Sequence, residues 1–318
     1  MTTETEKLRI GIIGTGAIGG FYGVMLARAG FDVHFLLRGE FNVVLEKGLT
    51  INSAEHGVLT LNPVQAYSSA ADMPPCDWLL VSTKTTDNAS LAPLIIQAAA
   101  PGAKVLLLQN GLEVEDSLRP LLPDSLHLLG GLCFICVHRT APGVVMHQAF
   151  GAVTLGYHSG SVSDPAAGQM IAEQGAELFR KAGLESRTMA NVHLARWQKL
   201  VWNIPYNGLS VLLKASTAGL MGDPNSRDLV QALMNEVVQG ALACGQMLPD
   251  GYAEQLFAAT EKMPDYWPSM YLDYQEKRPL ELTSIYERPL LAALTAGHDM
   301  PKVRALHQAL AFIDTHNG

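Results

Sequence analysis

Three polar residues recur at intervals of four within an apolar segment of the sequence, KLVWNIPYNGL. If this segment is helical, Lys199, Asn203 and Asn207 form one stripe, because four residues advance a helix by only about 40° beyond a full turn. Such a stripe offers an ammonium and two amides, which could supply a proton and hydrogen bonds to one small molecule. Lysine and asparagine are costly to bury without partners, so the stripe is either a solvent-exposed face or a polar site. The apolar residues around it favour a site.

A glycine-rich turn follows the first apolar run of the chain, in LRIGIIGTGAIGGFYGVMLARAGFDVHFLLR. The pattern predicts a strand, a turn, a helix that ends at Ala29-Gly30, and a second strand. In the G-x-G-x-x-G pattern, the first glycine allows the turn, the second admits a pyrophosphate and the third lets the helix pack on the strand. The alternative is a tight turn without a ligand. The residues that we assign to the dinucleotide are Gly14, Thr15, Gly16, Ala17, Ile18 and Gly19.

The residues after the second strand bear on the choice of cofactor. A site for NAD usually places an acidic residue there, about 20 residues beyond the glycine motif, to bind the ribose 2′-hydroxyl. This chain instead has Leu-Leu-Arg38-Gly, and an arginine can bind a 2′-phosphate through two parallel hydrogen bonds. Glu40 lies two residues further on, and Arg38 could also be an ordinary solvated charge. We expect NADPH/NADP as the cofactor.

Composition excludes several classes of protein. The net charge of −8 and the pI near 5.7 argue against nucleic acid or an anionic membrane as a partner, since both require a basic face. The polar opening MTTETEKLRI and the lack of an apolar run of ~20 residues argue against export and membrane insertion. We expect a cytoplasmic enzyme whose partner is a small molecule.

The four cysteines are too few and too scattered for a disulfide framework, which indicates a reducing compartment. Cys133 and Cys136 match C-x-x-C, but they lie within GGLCFICVH, a predicted buried strand. A redox or metal role is the alternative for this pair, although no second pair and no histidine cluster completes a tetrahedral set. We expect no bound metal.

Strand and helix patterns divide the chain near residue 190. DWLLVSTKT and KVLLLQNGL predict two further strands with a helix between them, and Lys84 and Asn110 follow their carboxyl ends, where parallel sheets bind ligands. A hairpin, a helix and a short strand come next. Only helical patterns follow, over 191–213, 225–247, 251–262, 264–278, 280–296 and 301–315. The predicted fold class is α/β, with a Rossmann-like dinucleotide-binding domain in 1–190 and an all-α domain in 191–318. We expect the site between them, and a homodimer is compatible with the large helical domain.

These motifs, in this order, resemble the ketopantoate reductases (2-dehydropantoate 2-reductases) over nearly the full chain. The resemblance is carried by the glycine turn, by Lys84 in VSTK, by Asn110-Gly111 after VLLLQ, by the KLVWNIPYN helix, and by Ser269-Met270 twelve residues before Glu281. It implies that Lys199 is the general acid that protonates the keto oxygen and that Glu281 lies beside the cofactor and orients the ammonium. The implied substrate-binding residues are Asn110, Asn203, Asn207 and Ser269. The implied cofactor contacts outside the glycine turn are Arg38, Lys84, Asn110 and Glu281.

The chain departs from the family pattern around Glu281. The family often carries Thr-Glu-Ile-Asp there, whereas this sequence has Leu-Glu281-Leu-Thr, and Thr217 stands where a third amide is usual. These differences concern the substrate pocket. The resemblance implies NADPH-dependent reduction of ketopantoate to pantoate in pantothenate biosynthesis. The alternatives are a reductase of another branched or aryl 2-keto acid and a regulator that senses NADPH without catalysis.

Overall fold

The structure is a computed structural model that describes residues 7–317, without the side chains of residues 87 and 89; the first six residues of the polar opening segment lie outside it. The strands are β1 (Arg9–Ile13), β2 (Asp32–Leu36), β3 (Leu49–Ser53), β4 (Gly57–Leu61), β5 (Ala66–Tyr67), β6 (Cys76–Val81), β7 (Ala99–Leu107), β8 (His127–Ala141), β9 (Val144–Ser159) and β10 (Ser186–Thr188). The helices are α1 (Ala17–Arg28), α2 (Phe41–Lys47), α3 (Asn88–Ala98), α4 (Val114–Leu118), α5 (Pro165–Lys181), α6 (Val192–Leu213), α7 (Thr217–Gly222), α8 (Pro224–Ala243), α9 (Tyr252–Lys262), α10 (Ser269–Gln275), α11 (Arg288–Thr295) and α12 (Pro301–His316).

The strands form one sheet in the order β4-β3-β9-β8-β7-β6-β1-β2-β5, with β10 beside β9. The central strands β8, β7, β6, β1 and β2 pair in parallel. Their short apolar sequences are buried because helices cover them, as parallel sheets require. The carboxyl ends of parallel strands meet at one edge, and this edge carries the loops that the sequence assigns to the cofactor.

The predicted hairpin is present, and it extends the sheet with antiparallel strands. β8 and β9 pair antiparallel over most of their length. Cys133 and Cys136 lie in β8, and both are buried thiols that form no disulfide. Burial raises the pKa of Cys136 to about 12, which disfavours the thiolate that redox chemistry or metal binding needs.

The chain divides into two compact units, each with its own core. The first extends through Gln109 and resumes over Glu115–Val192, and the second comprises Asn110–Val114 and the chain from His193 on. The first unit contains the sheet, and its core packs around β1, β2 and α1. The second contains helices and no strand within 193–317, and its core packs around α6 and α8. A Rossmann-like α/β fold followed by an all-helical part is therefore confirmed.

Several elements differ from the sequence prediction. The helix predicted over 264–278 is only α10, because Pro264 and Pro268 keep the preceding segment extended. The helix predicted over 280–296 begins with a π-helical segment, Thr283–Glu287, which we call the π-turn. The hairpin of β3 and β4 was not predicted, since both strands are short and carry polar residues. Within the described residues, no helix is both long and apolar enough to cross a bilayer.

Candidate active site

The glycine turn between β1 and α1 has three glycines in three different environments. Gly14 has φ +94°, a conformation that L side chains rarely adopt. A Cβ at Gly19 would lie 2.4 Å from both the Gly14 carbonyl oxygen and Ser82 Oγ, so the helix packs there without room for a side chain. A Cβ at Gly16 would meet nothing within 4 Å. The turn is thus open only at Gly16, which precedes α1 and supplies no side-chain cap for its N–H groups.

Side-chain hydrogen bonds join this turn to the ends of two neighbouring strands. Thr15 Oγ1 donates to the carbonyl of Leu36 at the end of β2, at 3.1 Å. Ser82 Oγ, just beyond β6, donates to the Gly14 carbonyl at 2.6 Å. Because β1 lies between β2 and β6, the loops after these three strands form one surface. Arg38, which is exposed, and Lys84, which is partly buried, lie on the loops after β2 and β6.

Glu40 is the only acidic residue between the end of β2 and α2, and its carboxylate is already engaged. It pairs with Arg139 of the β8–β9 hairpin. Its second oxygen accepts the backbone N–H of Gly143 at 2.8 Å. These bonds hold Glu40 against the hairpin, so it is committed to the fold rather than available as a ribose acceptor.

The polar stripe of α6 does not face solvent at its two amides. Asn203 and Asn207 are 4% and 2% exposed, respectively, and Lys199 is partly buried. Asn203 Nδ2 and Asn207 Oδ1 are buried and have no hydrogen-bond partner among the described residues. A buried amide atom without a partner costs about 1–3 kcal/mol, so each of these atoms requires a partner from outside the protein, such as a ligand or a water molecule. One helical turn of α6 therefore offers a free donor and a free acceptor.

The π-turn that follows Glu281 is bonded to the same part of α6. Tyr286 is fully buried, and its hydroxyl donates to the carbonyl of Ile204 at 2.8 Å. Glu281 is 4% exposed, and its carbonyl accepts the N–H of Ile285 at 3.2 Å. π-helical turns are rare and frequently occur at functional sites.

Asn110 belongs to the helical unit, although the sequence places it directly after a strand of the sheet. The neighbouring Leu112 donates its N–H to the carbonyl of Ser284 at 2.8 Å. Arg288 Nη1 bonds to Glu113 Oε2 at 3.2 Å. The short segment Asn110–Val114 is therefore held against the π-turn, close in sequence to Glu281.

The hydroxyl of Thr217 is occupied by the protein. It accepts the N–H of Tyr266 at 2.9 Å and contacts Asp265 at 3.4 Å. Partial burial alone would raise the pKa of Asp265, but hydrogen bonds from Ala218, Ser216 and Thr217 lower it overall, so the carboxylate is a stable acceptor. Thr217 thus ties α7 to the loop before Ser269, in the first turn of α10, rather than replacing a substrate-binding amide.

Comparison with known proteins gives the family. Residues 10–160 match the family model described as ketopantoate reductase PanE/ApbA, and residues 191–314 match that of its C-terminal part. The chain belongs to the ketopantoate reductase family. It is 41% identical over 312 residues to a 2-dehydropantoate 2-reductase of Nostoc sp., covering 98% of this chain and 97% of that protein. As a member of this family the chain is an oxidoreductase.

Two solved structures superpose on nearly the whole of this chain. A crystal structure of 2-dehydropantoate 2-reductase from Geobacter metallireducens GS-15 superposes with a TM-score of 0.88 at 38% identity, covering 96% of this chain and 99% of that chain. A D-mandelate dehydrogenase, solved with NADH and anilino(oxo)acetate, has a TM-score of 0.84 at 21% identity, covering 98% and 99%. At that identity the likeness concerns the fold alone.

The predicted site residues of this ketopantoate reductase family member fall into two groups, one on each compact unit. The first unit carries the glycine turn, Arg38 and Lys84. The second carries the remaining residues, Asn110, Lys199, Asn203, Asn207, Ser269 and Glu281. Sequence reasoning missed Tyr286, which could have been found only as an aromatic residue near Glu281, since its partner Ile204 is 82 positions away.

Proposed function

We propose that this protein catalyses the NADPH-dependent reduction of 2-dehydropantoate (ketopantoate) to pantoate, a step of pantothenate biosynthesis. Residues 1–190 would bind NADP, and 191–318 would bind the substrate and carry the catalytic lysine. Membership of the ketopantoate reductase family and the relative from Nostoc support this proposal. The function must still be argued from the site, because one fold serves many substrates.

The two unpartnered amide atoms are our reason for choosing ketopantoate among the possible 2-keto acids. Asn203 Nδ2 needs an acceptor, and Asn207 Oδ1 needs a donor. A simple 2-keto acid offers carboxylate and keto oxygens, which accept only. Ketopantoate also has a 4-hydroxyl group, which can donate to Asn207 while its other oxygens accept from Asn203. Ketopantoate therefore satisfies both amides, whereas a substrate without a hydroxyl leaves one buried carbonyl unsatisfied.

The amine of Lys199 is suited to act on the keto oxygen. Negative charge develops on that oxygen during reduction, and an adjacent ammonium stabilises the charge and donates the proton. Glu281 is buried, and a buried carboxylate requires a cationic or hydrogen-bonding partner, so we assign it the role of orienting and keeping the Lys199 ammonium charged. Ser269, in the first turn of α10, would bind the substrate carboxylate.

The glycine turn fits a dinucleotide. Space remains at Gly16 where a side chain would fill it, and the first N–H groups of α1 need acceptors that a pyrophosphate supplies. Glu40 is bonded to the β8–β9 hairpin and is not available to bind the ribose 2′-hydroxyl. Arg38 would instead hold a 2′-phosphate at this position. Lys84 and Asn110 would complete the binding of the nucleotide. NADPH, when bound, supplies the hydride.

The substrate assignment is tested with a matched pair of keto acids. Ketopantoate and 3,3-dimethyl-2-oxobutanoate differ only by the 4-hydroxyl, and NADPH consumption measures the reduction of both. We expect kcat/KM to favour ketopantoate by about 10- to 100-fold, corresponding to one unsatisfied buried acceptor. In Asn207→Leu this preference should largely disappear, since no acceptor remains.

The other outcomes identify the alternatives. Equal rates for the two keto acids, or faster reduction of an aryl 2-keto acid, would identify a reductase of another substrate. The fold also occurs in the D-mandelate dehydrogenase, a protein named for an aryl 2-hydroxy acid. Binding of NADPH without reduction of any 2-keto acid would identify a sensor.

A further inference from the structure

A residue of the π-turn forms a hydrogen bond with α6 in the helical turn between Asn203 and Asn207, the two residues with unpartnered amide atoms. We infer that Tyr286 is a positioning residue, whose hydroxyl fixes the backbone that presents Asn203 and Asn207 to the substrate. This inference rests on the proposed function for its kinetic consequences, but its structural part does not. Tyr286 itself has no direct contact with the reaction in this scheme.

The contacts of the Tyr286 hydroxyl lie on both sides of one helical hydrogen bond. The hydroxyl donates to the carbonyl of Ile204 at 2.8 Å. On its other side the hydroxyl packs against Gly208, where no side chain would fit beside it. Ile204 and Gly208 are four residues apart, so they form the pair that an α-helix would join directly. The hydroxyl bridges this pair by one hydrogen bond and one packing contact. Each of the two amides lies one residue before a member of the pair.

Gly208 makes room for this bridge. A Cβ at Gly208 would lie 2.5 Å from the Tyr286 hydroxyl oxygen, which is closer than real side chains approach. Burial raises the pKa of Tyr286 well above its ordinary value, so the hydroxyl remains a donor at any physiological pH. The bridge is therefore a permanent part of the fold rather than a titrating contact.

This turn of α6 needs support from outside the helix. Pro205 lies inside α6 and has no N–H, so the carbonyl four residues earlier loses its helical partner and the helix is weakened there. The two unpartnered amide atoms have no hydrogen-bond partner within the described part of the chain that could hold them in place. Their positions are consequently set by the backbone, to which the Tyr286 hydroxyl bonds at Ile204 and the Ser210 hydroxyl at Asn207.

The same bond sets the position of Glu281 relative to the amides. The carbonyl of Glu281 accepts the N–H of Ile285, and Ile285 directly precedes Tyr286. Fixing Tyr286 to α6 thus fixes a short, hydrogen-bonded segment that includes the carboxylate. Loss of the hydroxyl should disturb substrate recognition more than overall stability.

The test compares Tyr286→Phe with Tyr206→Phe. Both tyrosines are fully buried in the helical core, and each variant removes a single hydroxyl. The hydroxyl of Tyr206 bonds to the sulfur of Met221 at 3.1 Å and makes no bond to the π-turn. Melting temperature, amide hydrogen exchange and the kinetics with ketopantoate and its 4-deoxy analogue are measured for wild type and both variants.

We expect both variants to fold and to lose similar, modest thermal stability. In Tyr286→Phe alone, the amide of Gly208 should exchange about tenfold faster. The preference of kcat/KM for the hydroxylated keto acid should fall about tenfold in this variant, mainly through a higher KM for ketopantoate. Unchanged exchange at Gly208, or equal kinetic effects in the two variants, would overturn the inference.

The two proposals fail in different ways. If wild type reduces no 2-keto acid, the proposed function fails, and the exchange of Gly208 still decides whether Tyr286 supports this turn. If wild type prefers ketopantoate and Tyr286→Phe keeps that preference in full, the positioning role fails while the proposed function stands.

Discussion

Ser284 holds the segment that contains Asn110, through its contacts with Gly111. A Cβ placed on Gly111 would lie 2.4 Å from Ser284 Cβ and 2.7 Å from the Ser284 carbonyl oxygen. That carbonyl accepts the next N–H along the chain, from Leu112, at 2.8 Å. Asn110, proposed to contact both cofactor and substrate, therefore depends on a glycine that packs against the π-turn.

Replacing Gly111 should consequently impair the site. Gly111 has φ +108°, so Gly111→Ala combines backbone strain with a collision against Ser284. We expect a loss of about 2–4 kcal/mol in the free energy of unfolding and at least a tenfold loss in kcat/KM. The control is Gly297→Ala, where φ is +81° and a Cβ meets nothing within 4 Å. It should lose about 1 kcal/mol and retain activity. Equal activity in the two variants would mean that the contact with Ser284 does not position Asn110.

Lys199→Ala should nearly abolish turnover while leaving NADPH binding intact, because the proposed proton donor acts on the substrate oxygen. Loss of a general acid lowers kcat by about 10²- to 10⁴-fold. The dissociation constant of NADPH, measured by fluorescence titration, should change by less than about twofold. The exposed Lys262, in the last turn of α9, provides the control Lys262→Ala. A Lys199→Ala enzyme with near wild-type kcat would exclude this lysine from the mechanism.

Arg38 should determine the preference for NADPH over NADH. A charge-assisted hydrogen bond to the 2′-phosphate contributes on the order of 1.5–3 kcal/mol, and NADH lacks that phosphate. Arg38→Ala should therefore weaken NADPH binding by roughly 10- to 100-fold and hardly change NADH binding. Arg38→Asp should begin to favour NADH, since a carboxylate repels the phosphate and accepts from the ribose.

Both cofactors are titrated at one ionic strength, because salt screens the phosphate interaction. Arg187→Ala, which removes an exposed arginine paired with Glu185, is the control. Equal weakening of NADPH and NADH in Arg38→Ala would show that the 2′-phosphate is bound elsewhere.

His147 should make the protein less stable in acid. Burial lowers its pKa, and the charge of His56 adds to that effect, whereas the hydrogen bond to Phe150 and the charge of Glu55 partly oppose it. Ser53 Oγ accepts the N–H groups of Glu55 and His56, so its hydrogen is directed to His147 Nδ1 at 2.8 Å. His147 Nε2 then donates to the Phe150 carbonyl at 2.7 Å, and acceptance by Nδ1 requires a neutral ring.

The sign of the effect follows from proton binding. As the pH falls below about 6.5, the unfolded chain protonates this histidine before the folded protein does, because folding lowers its pKa. The stability present above that pH therefore declines as the pH falls. The slope from one such group is at most about 1.4 kcal/mol per pH unit. Denaturant unfolding between pH 5 and 7.5 should show a smaller slope for His147→Gln than for wild type. Identical slopes would mean that folding does not lower the pKa of His147.

Short-range features of the sequence determined the glycine turn and the amide stripe. The roles of Gly14, Gly16 and Gly19 follow from a turn in which all contacts are local, and the structure provides a positive φ, an open position and a close packing contact accordingly. The four-residue spacing of the α6 stripe determined that its polar groups share one face, because a helix has a fixed period. The division into an α/β part and a helical part followed from the same periodicities.

Only the tertiary structure decided which polar groups remain available to a ligand. Thr217 stands where the family has an amide and Glu40 follows β2, and the structure engages both in contacts with Asp265 and Arg139. The free atoms of Asn203 and Asn207 are recognisable only after every possible partner is placed.

The π-turn and the assignment of Asn110 to the helical unit also depend on tertiary contacts. They join residues as far apart as Ile204 and Tyr286, or Leu112 and Ser284. Hydrophobic periodicity reports which face of an element is buried, but it carries no information about which distant backbone groups meet there. That pairing is set by packing, and in this protein the packing leaves two amide atoms of the polar stripe without a partner among the described residues.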